Sequence, residues 1–520
     1  MSGNKPGLAV IFLITALFVY SCGYPDTESA AGTGRKPVIE PDYTDVTIPP
    51  NIAPMNFAVQ EDAKTIKVIA TSSLSDYKIS IKTRNGQIRF PARAWKKLLD
   101  ESGGGKIEFT VFAREKGVKG KKKYDPLYMY VSADPIDPYL VYRIIYPGYY
   151  SWSRLRLAQR SLESFSEQIL FDNQIMEKNC VNCHSFNRNS ADRFMIHVRG
   201  SLGATYISEK GNITKVDPKI EAMPGGATYP SWHPGGRFIA FSSNQVRQSF
   251  YSVPEKNIEV FDLVSSIICY DRETNETISI NNSDTTKYLE TFPSWSPDGD
   301  YLYYCRAVQL ISDTDPQMEQ IMKTHYNLVR RYFDPDSRAF GEPEIVFDAA
   351  AINKSVSFPR VSPDGRFLVV TLSDYGTFPI WHREADLWMI DLQSGKAVRM
   401  EVNSDEPESY HTWSLNGRWL VFSSRRLDGR SGRPYFVHID PSGSQGKEFV
   451  LPQKNPDHYG RMLESYNIPE FVDGRIKLNP RDFAAASGGE ILKAKAADPA
   501  SLQTGKETKR SYQNDRPIHE

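Results

Sequence analysis

The chain has 520 residues and carries 63 Lys and Arg against 63 Asp and Glu, so its formal net charge is zero. A chain of this length can form two or three domains with buried cores, and the balanced charge argues against a nucleic-acid partner. Aromatic residues make up 12% of the chain, and Gly and Pro number 34 each. This composition favours turn-rich β architecture over a helical bundle, so we predict an all-β fold.

The first 21 residues are predicted to be a targeting segment. Lys5 supplies a positive start, and residues 8–20 form an apolar stretch that is short for a membrane-spanning helix. The following V-Y-S-C, ending at Cys22, resembles a bacterial lipobox. The resemblance implies a lipoprotein signal peptide over residues 1–21 and a lipid on Cys22 that anchors the chain in the bacterial cell envelope, with the outer membrane expected. An ordinary secretory signal with an incidental cysteine is the alternative.

Residues 22–135 predict a tether followed by a β-domain. Residues 22–42 are polar and rich in Gly, Ala, Ser and Thr, which predicts a flexible tether. Residues 43–135 contain short alternating runs such as IKVIA, YKISIK and KIEFTVFA between turn-forming residues. This pattern predicts an antiparallel β-sandwich, immunoglobulin-like in general style, with one short helix over residues 92–99.

Residues 136–179 are predicted to form a connector and a helix. The connector is rich in Pro and Tyr up to residue 150. Apolar residues then recur at helical spacing over residues 153–171, at Leu155, Leu162, Phe165, Ile169 and Leu170. We expect the apolar face of this helix to pack into the core.

Cys180-Val181-Asn182-Cys183-His184 has the C-x-x-C-H spacing that attaches c-type haem. In that chemistry Cys180 and Cys183 each form a thioether with one vinyl group of a single covalent haem c, and His184 is the proximal iron ligand. The rival interpretations are a zinc half-site, a thioredoxin-type redox pair and a purely structural role. No second C-x-x-C or H-x3–5-H occurs in the sequence, and no βαβ pattern surrounds the motif, so we favour haem.

Four segments downstream repeat a pattern of strand, tight turn and strand. They are YPSWHPGGRFIAFSS from Tyr229, FPSWSPDGDYLYYCR from Phe292, FPRVSPDGRFLVVTL from Phe358 and YHTWSLNGRWLVFSS from Tyr410. Equivalent positions are 63, 66 and 52 residues apart, a period that suits four-stranded propeller blades. The W-S-P-D-G signature resembles the TolB-like (PD40) β-propeller family, and the resemblance covers residues 180–483. Val361 replaces the usual Trp in one copy, and Leu415-Asn416 replaces Pro-Asp in another.

A degenerate fifth copy over residues 180–220 predicts the first blade, because D-R-F-M-I-H-V from Asp192 aligns with G-R-F-I-A-F-S from Gly236. The C-x-x-C-H motif then falls where other blades have their first-to-second strand turn, which predicts a haem loop there. Five blades are counted in this way. We predict six, the last formed by residues 451–483 or by N-terminal strands that close the ring. Residues 484–520 predict a disordered tail.

The sixth iron ligand has several candidates. His233 lies in the corresponding turn of the next blade, where the other copies have Ser, so it is the favoured distal ligand. Met195 is a weaker candidate, because methionine in a blade strand is usually part of the core. We expect His197 to pack between blades and His411 to be structural. An open sixth position is the remaining alternative, and it would favour ligand or peroxide chemistry.

Cys269 and Cys305 lie in apolar runs typical of strands. An oxidising compartment permits a disulfide between them, and two buried free thiols are the alternative.

Together these patterns predict an exported, lipid-anchored, monohaem c-type cytochrome built on a propeller. It would act in electron transfer or as the haem-bearing component of an envelope assembly, with a redox partner or envelope protein as its partner. One alternative is a non-catalytic, protein-binding scaffold with a structural or sensory haem, and another is a peroxidase-like enzyme. We assign no catalytic residue. Propellers host so many functions that the fold alone does not distinguish these hypotheses.

Overall fold

The computed structural model describes residues 30–117, 120–146, 154–253, 256–280, 287–310 and 318–498. The signal peptide and Cys22 lie outside these residues, as does the chain beyond residue 498. The described chain contains two N-terminal sheets followed by a ring of six sheets. No helix within it is long and apolar enough to cross a membrane.

The N-terminal region forms a seven-stranded and a three-stranded sheet. The larger sheet contains β1, β3, β5, β6, β8, β9 and β10, and the smaller one contains β2, β4 and β7. The elements are β1 (Ala30–Gly32), β2 (Ile39–Glu40), β3 (Val46–Ile48), β4 (Phe57–Val59), β5 (Thr65–Ser72), β6 (Lys78–Thr83), β7 (Gln87–Ile88), α1 (Ala92–Asp100), β8 (Lys106–Arg114), β9 (Lys121–Lys123) and β10 (Leu127–Val131).

Period-two alternation makes these strands, because it gives each of them one apolar face. In β5 every second residue is buried, and β8 beside it shows the same pattern. Trp95 of α1 is buried in the same core and donates its Nε1–H to the carbonyl of Ile52 at 3.1 Å. The predicted tether over residues 22–42 is wrong from residue 30 onward, because β1 pairs with β9 and β2 pairs with β4.

The next sheets form the blades of a β-propeller, whose strands are as follows. Blade 1 begins with β11 (Tyr139–Ile145), β12 (Leu155–Ser161) and β13 (Glu167–Asp172). Blade 2 has β14 (Cys180–Phe186), β15 (Arg193–Arg199), β16 (Ala204–Glu209) and β17 (Asn212–Asp217). Blade 3 has β18 (Ala227–Trp232), β19 (Phe238–Val253), β20 (Lys256–Asp271) and β21 (Glu276–Ser279).

The other three blades follow the same plan. Blade 4 has β22 (Tyr288–Trp295), β23 (Tyr301–Val308) and β24 (Asn327–Asp334), with α2 (Met318–Met322) before β24 and with β25 (Ala339–Phe340) and β26 (Glu344–Phe347) on its outer edge. Blade 5 has β27 (Ser355–Val361), β28 (Phe367–Ser373), β29 (Asp386–Asp391) and β30 (Ala397–Arg399). Blade 6 has β31 (Glu408–Trp413), β32 (Trp419–Ser424), β33 (Arg433–His438) and β34 (Phe449–Val450).

A strand from the far end of the chain closes the ring. After α3 (His458–Arg461), β35 (Ser465–Val472) pairs antiparallel with β11 and becomes the inner strand of blade 1. Inner strands contact one another around the circle, and β35 touches both β31 and β14. The described chain therefore forms six blades, and the ring closes where β35, its last inner strand, pairs with β11, the first strand of the propeller.

The helix predicted over residues 153–171 is wrong, because residues 155–172 form strands β12 and β13 of blade 1. Both faces of a blade strand are covered, so β12 buries the polar residues Gln159 and Arg160 as well as its apolar ones. Gln159 donates to the carbonyl of Ile476 at 2.6 Å and Arg160 to that of Pro452 at 2.9 Å. These buried polar residues break the alternation by which a strand is recognised in a sequence. The propeller therefore starts at residue 139 instead of the predicted residue 180.

The predicted disordered tail is also wrong as far as residue 498. Helix α4 (Pro480–Ser487) starts with a capping box between Asn479 and Asp482. Two short strands follow: β36 (Ile491–Lys493) extends the outer edge of blade 2, and β37 (Lys495–Ala496) extends that of blade 3.

The repeat signature makes the turn between the first two strands of a blade. In blade 4 the hydroxyl of Ser296 accepts a hydrogen bond from the backbone N–H of Tyr301 at 2.9 Å. The carboxylate of Asp298 accepts one from the backbone N–H of Asp300 at 3.0 Å. In blade 6 Asn416 replaces the Asp, and its side-chain oxygen accepts the amide of Arg418 at 3.0 Å. The divergent copy therefore keeps the same turn.

Every inner strand carries a one-residue bulge at the same height. The register shifts lie at Asn182 in blade 2, at Tyr229, Phe292, Phe358 and Tyr410 in blades 3 to 6, and at Ile468 in blade 1. The last five of these residues have φ between 47° and 55°, which is rare for residues with large side chains. The aromatic rings of blades 3 to 6 pack in sequence, with centroids 4.5, 4.5 and 4.7 Å apart. We call these four rings the axial arc.

Cys269 and Cys305 lie in β20 and β23 of different blades, where both are fully buried free thiols. The free-thiol alternative is therefore the correct one.

Candidate functional site

The C-x-x-C-H motif lies on the inner strand of blade 2. Cys180 begins β14, His184 lies in its middle, and the strand ends at Phe186. The turn to β15 follows at residues 187–192. The predicted haem loop is therefore wrong in its placement, because the motif is a strand that comes before the turn.

Register places the thiol of Cys183 and the imidazole of His184 on opposite faces of β14. Cys183 pairs with His197, whereas His184 pairs with Ile196. Directly opposed residues share a face and successive residues alternate, so the two motif side chains diverge. Cys183 lies beside the backbone N–H of Tyr229 in blade 3. His184 lies against the backbones of Val141 and Ile468 in blade 1.

His184 is a buried, neutral imidazole that is 3% exposed, and within the described residues its ring nitrogens have no hydrogen bond of ordinary geometry. Burial lowers the pKa of His184 to about 3, the Arg143 guanidinium lowers it further, and the backbones of Ile468 and Val141 oppose the shift. At neutral pH the ring is therefore neutral, and the backbones of Ile468 and Val141 lie beside it without a hydrogen bond of ordinary geometry.

The two motif thiols are also buried and protonated. Cys180 and Cys183 are 5% and 6% exposed and are not joined by a disulfide. Burial raises the pKa of both thiols, and the guanidinium groups of Arg143 and Arg199 offset only part of that effect. Two cations therefore lie near the thiols.

The donor chemistry of this site fits a c-type haem. Two thiols at the attachment spacing and a neutral imidazole with unused nitrogens are the groups that such a haem requires. Because Cys183 and His184 diverge, binding all three to one haem requires this part of β14 to leave its ladder with β15. The bulge at Asn182 already interrupts that ladder.

His233 does not lie against the motif. It begins the first turn of blade 3, and its ring packs toward blade 4, with its centroid 4.9 Å from that of Trp295. The contact between the turns of blades 2 and 3 is made by Asn187, which donates to the carbonyl of His233 at 2.9 Å. Asn187 lies three residues beyond His184, about 10 Å along the chain.

The structure places the other candidate residues as follows. Met195 is fully buried between blades 2 and 3, on the face of the sheet opposite His184. His197 is buried with Nδ1 3.1 Å from the hydroxyl of Thr205, on the same face as Cys183. His411 is buried in blade 6, with Nε2 2.8 Å from the carbonyl of Val369. The described residues contain no group of three or more His, Cys, Asp or Glu side chains that could hold a metal ion.

Sequence reasoning missed the groups that surround the motif at the propeller axis. Tyr410, at one end of the axial arc, interacts electrostatically with Cys183, Arg143 and Arg425. Tyr229, at the other end of the arc, interacts with Cys183 and Tyr410. The aromatic residue that opens each repeat was visible in the sequence, but its turn toward the axis depends on the bulge.

The sequence matches no known protein-family model and no curated protein. Solved structures share its general form. TolB from Acinetobacter baumannii is 12% identical, with a TM-score of 0.42 over 73% of this chain and 85% of that chain. Hydrazine synthase from Kuenenia stuttgartiensis is 13% identical, with a TM-score of 0.30 over 51% and 64%. A hypothetical selenium-binding protein from Sulfolobus tokodaii is 12% identical, with a TM-score of 0.38 over 66% and 96%. The propeller fold itself rests on the strand order and ring closure described above.

Proposed function

We propose that the chain is an exported, lipid-anchored, monohaem c-type cytochrome. It carries one haem c on Cys180 and Cys183, with His184 as the proximal ligand, and serves in electron transfer or as the haem-bearing component of an envelope assembly. The observation that carries the proposal is the neutral, unpartnered imidazole of His184 within a C-x-x-C-H motif.

The unused nitrogens of His184 are costly unless they serve a ligand. An unsatisfied polar group in a protein interior costs about 1–3 kcal/mol. Coordination of a metal to one nitrogen would satisfy it, and a neutral imidazole is the form that binds metals. The bound haem iron would supply one-electron redox chemistry.

The surrounding charges fit the same role. The guanidinium groups of Arg143 and Arg199 lie near both thiols. Cations in a buried site favour the reduced form of a nearby redox centre, because reduction adds a negative charge. We therefore expect these arginines to raise the reduction potential.

The N-terminal part of the chain would hold this unit at a membrane. A lipid on Cys22 would anchor it in the cell envelope, and the two N-terminal sheets, interpreted as a β-sandwich, would space the propeller from the lipid. The sandwich packs on blade 6, where the hydroxyl of Tyr43 donates to the carbonyl of Val450 at 3.3 Å. The partner would be a redox or envelope protein.

Covalent attachment of haem tests the proposal. The full-length protein is made in bacteria with and without a c-haem maturation system and run on denaturing gels stained for haem. We expect a stained band only with maturation, and its loss in the Cys180→Ser/Cys183→Ser variant. Cys269→Ser/Cys305→Ser is the matched control, because it removes two buried thiols elsewhere, and its band must persist. A haem-free wild-type product from maturing cells contradicts the proposal.

A protein-binding scaffold is the second candidate, and one observation favours it. The motif strand β14 is paired with β15 from Cys180 to Phe186, and backbone pairing between β35 and β11 closes the ring. Closure of the propeller therefore rests on strand pairing, which is what a rigid binding scaffold requires. A haem-free wild-type protein that co-purifies in equal amounts with one envelope protein would support the scaffold.

A further inference from the structure

Arg425 is a buried cation that forms no ion pair within the described residues, although the carboxylates of Asp428 and Glu406 act on it electrostatically. It follows β32 in blade 6 and is 9% exposed. Its Nη1 has no hydrogen-bond partner in the described part of the chain. Burial lowers the pKa of Arg425 to about 9, so the site strongly disfavours its charge. A buried charge of this kind normally has a partner.

The acidic residues nearest to Arg425 are already engaged. Glu406 pairs with Arg383 at 3.1 Å, and Asp428 pairs with Arg433 at 2.8 Å. Arg433 is a buried arginine with partners, because it also donates to the carbonyl of Ser431 at 2.7 Å. Within the described residues, the Arg425 side chain has neither an ion pair nor such a hydrogen bond.

Trp381 fixes the orientation of the free guanidinium. The Arg425 Cζ lies 3.3 Å from the centroid of the Trp381 ring, which belongs to the blade 5 loop between β28 and β29. Stacking holds the planar cation by its face and leaves its in-plane N–H donors for another group. The donors are therefore preorganised for a planar acceptor.

Tyr410 of the axial arc interacts electrostatically with both the Arg425 guanidinium and Cys183 of the motif, and also with Arg143. In the blade 5 loop that carries Trp381, the Thr377 hydroxyl is likewise buried without a partner. Thr377 also lines a small cavity together with Asp262 and Tyr326. Thr377 in blade 5 and Arg425 in blade 6 are thus both buried polar side chains with an atom that has no hydrogen-bond partner among the described residues.

We propose that Arg425 is the anchor of a carboxylate-binding site where blades 5 and 6 meet. A carboxylate matches the paired, coplanar donors of a guanidinium and would neutralise the buried charge. The carboxylate has two potential sources with the same chemistry: a small free organic acid, or a propionate of the covalent haem. Only the second source rests on the proposed cytochrome function.

The first experiment uses haem-free, full-length protein from cells without haem maturation. Acetate is titrated calorimetrically against the wild type and against Arg425→Gln, at constant ionic strength with chloride as the reference anion. We expect acetate to bind the wild type and the variant to bind at least tenfold more weakly. Arg330→Gln is the matched control, because Arg330 also lies over an aromatic ring, 4.4 Å from that of Tyr301, but pairs with Glu344. Arg425→Lys keeps the positive charge but loses the paired, coplanar donors of the guanidinium, so it should bind acetate more weakly than the wild type. This variant gives a second measurement of the site in case Arg425→Gln does not fold.

The second experiment uses the haem-loaded protein. Loss of acetate binding on haem loading, with a changed reduction potential in Arg425→Gln, assigns the site to a propionate. Retained acetate binding and an unchanged potential assign it to a free acid. The proposal is overturned if haem-free wild type shows no acetate binding beyond chloride and Arg425→Gln leaves the potential of the loaded protein unchanged. Failure of haem attachment removes only the cytochrome proposal, because the first experiment does not need haem.

Discussion

Replacing His184 by Leu is expected to stabilise the haem-free protein. The imidazole is neutral at pH 7, so it buries one donor and one acceptor nitrogen without a hydrogen bond of ordinary geometry among the described residues. Each unsatisfied group costs about 1–3 kcal/mol, and the change of shape on substitution by a residue of similar size costs up to about 1.5 kcal/mol. The balance is a gain of about 2 kcal/mol in the free energy of unfolding.

Urea unfolding of the haem-free protein at pH 7, followed by circular dichroism, measures this gain as a higher transition midpoint. His411→Leu is the control. His411 is equally buried, and burial lowers its pKa to about 3 as well, but its Nε2 is bonded to the carbonyl of Val369 at 2.8 Å. Losing that bond leaves the carbonyl of Val369 unpaired, which costs about 1–3 kcal/mol. Removal of Nδ1, which has no hydrogen-bond partner among the described residues, offsets part of this cost, so His411→Leu should gain no stability. A loss of more than about 1 kcal/mol in His184→Leu would show that the imidazole has a structural role and would refute the reasoning.

Three further predictions follow from other parts of the chain. Hydrogen bonds from Arg35 hold the pKa of Glu61 at about 2 in the folded protein, against 4.5 for an ordinary glutamate. The stability that this depressed pKa contributes is complete above pH 4.5 and is lost as the pH falls toward 2, so Glu61→Gln should flatten the acid limb of thermal melts. The shift corresponds to about 3 kcal/mol, which exposure of Arg35 reduces to about 1–2 kcal/mol. His233→Ala should leave the Soret spectrum of haem-loaded protein unchanged, because its ring packs on Trp295, and a shifted spectrum would place it at the iron. Phe471→Ala in the closing strand should cost about 3–5 kcal/mol in urea unfolding, because the side chain is fully buried, and a cost below about 1 kcal/mol would contradict closure through β35.

Five blades were predictable from the sequence, four because each carries a full local signal and blade 2 through its degenerate copy over residues 180–220. The aromatic residue, the tight turn and the second strand lie within fifteen residues, and the turn depends on a Ser and an Asp or Asn that bond backbone amides locally. Blade 1 has no such signal. Its inner strand β35 is far from β11 in sequence, so no local pattern joins the two. In β12 the buried Gln159 and Arg160 break the expected alternation of buried apolar residues.

The candidate site was predictable in its identity but not in its geometry. The spacing of Cys180, Cys183 and His184 is a property of the sequence itself, so it can be recognised without a structure. The face that each side chain takes depends on the bulge at Asn182 and on pairing with β15, which are tertiary features. Arg425 had no sequence signal, because an arginine after a strand is ordinary, and only the lack of a partner in the folded chain distinguishes it.

The position of the motif bears on the proposed attachment of haem. All six inner strands carry a bulge at one height, and four of them place a proline directly after the bulged residue, at Pro230, Pro293, Pro359 and Pro469. Proline donates no ladder hydrogen bond, so each of these strands is weakly paired at that point. Cys183 takes the proline position in blade 2 and His184 follows it. The motif thus occupies the stretch of the inner strand where the bulge interrupts backbone pairing. Opening the strand there to bind haem would break fewer ladder hydrogen bonds than opening a regularly paired stretch.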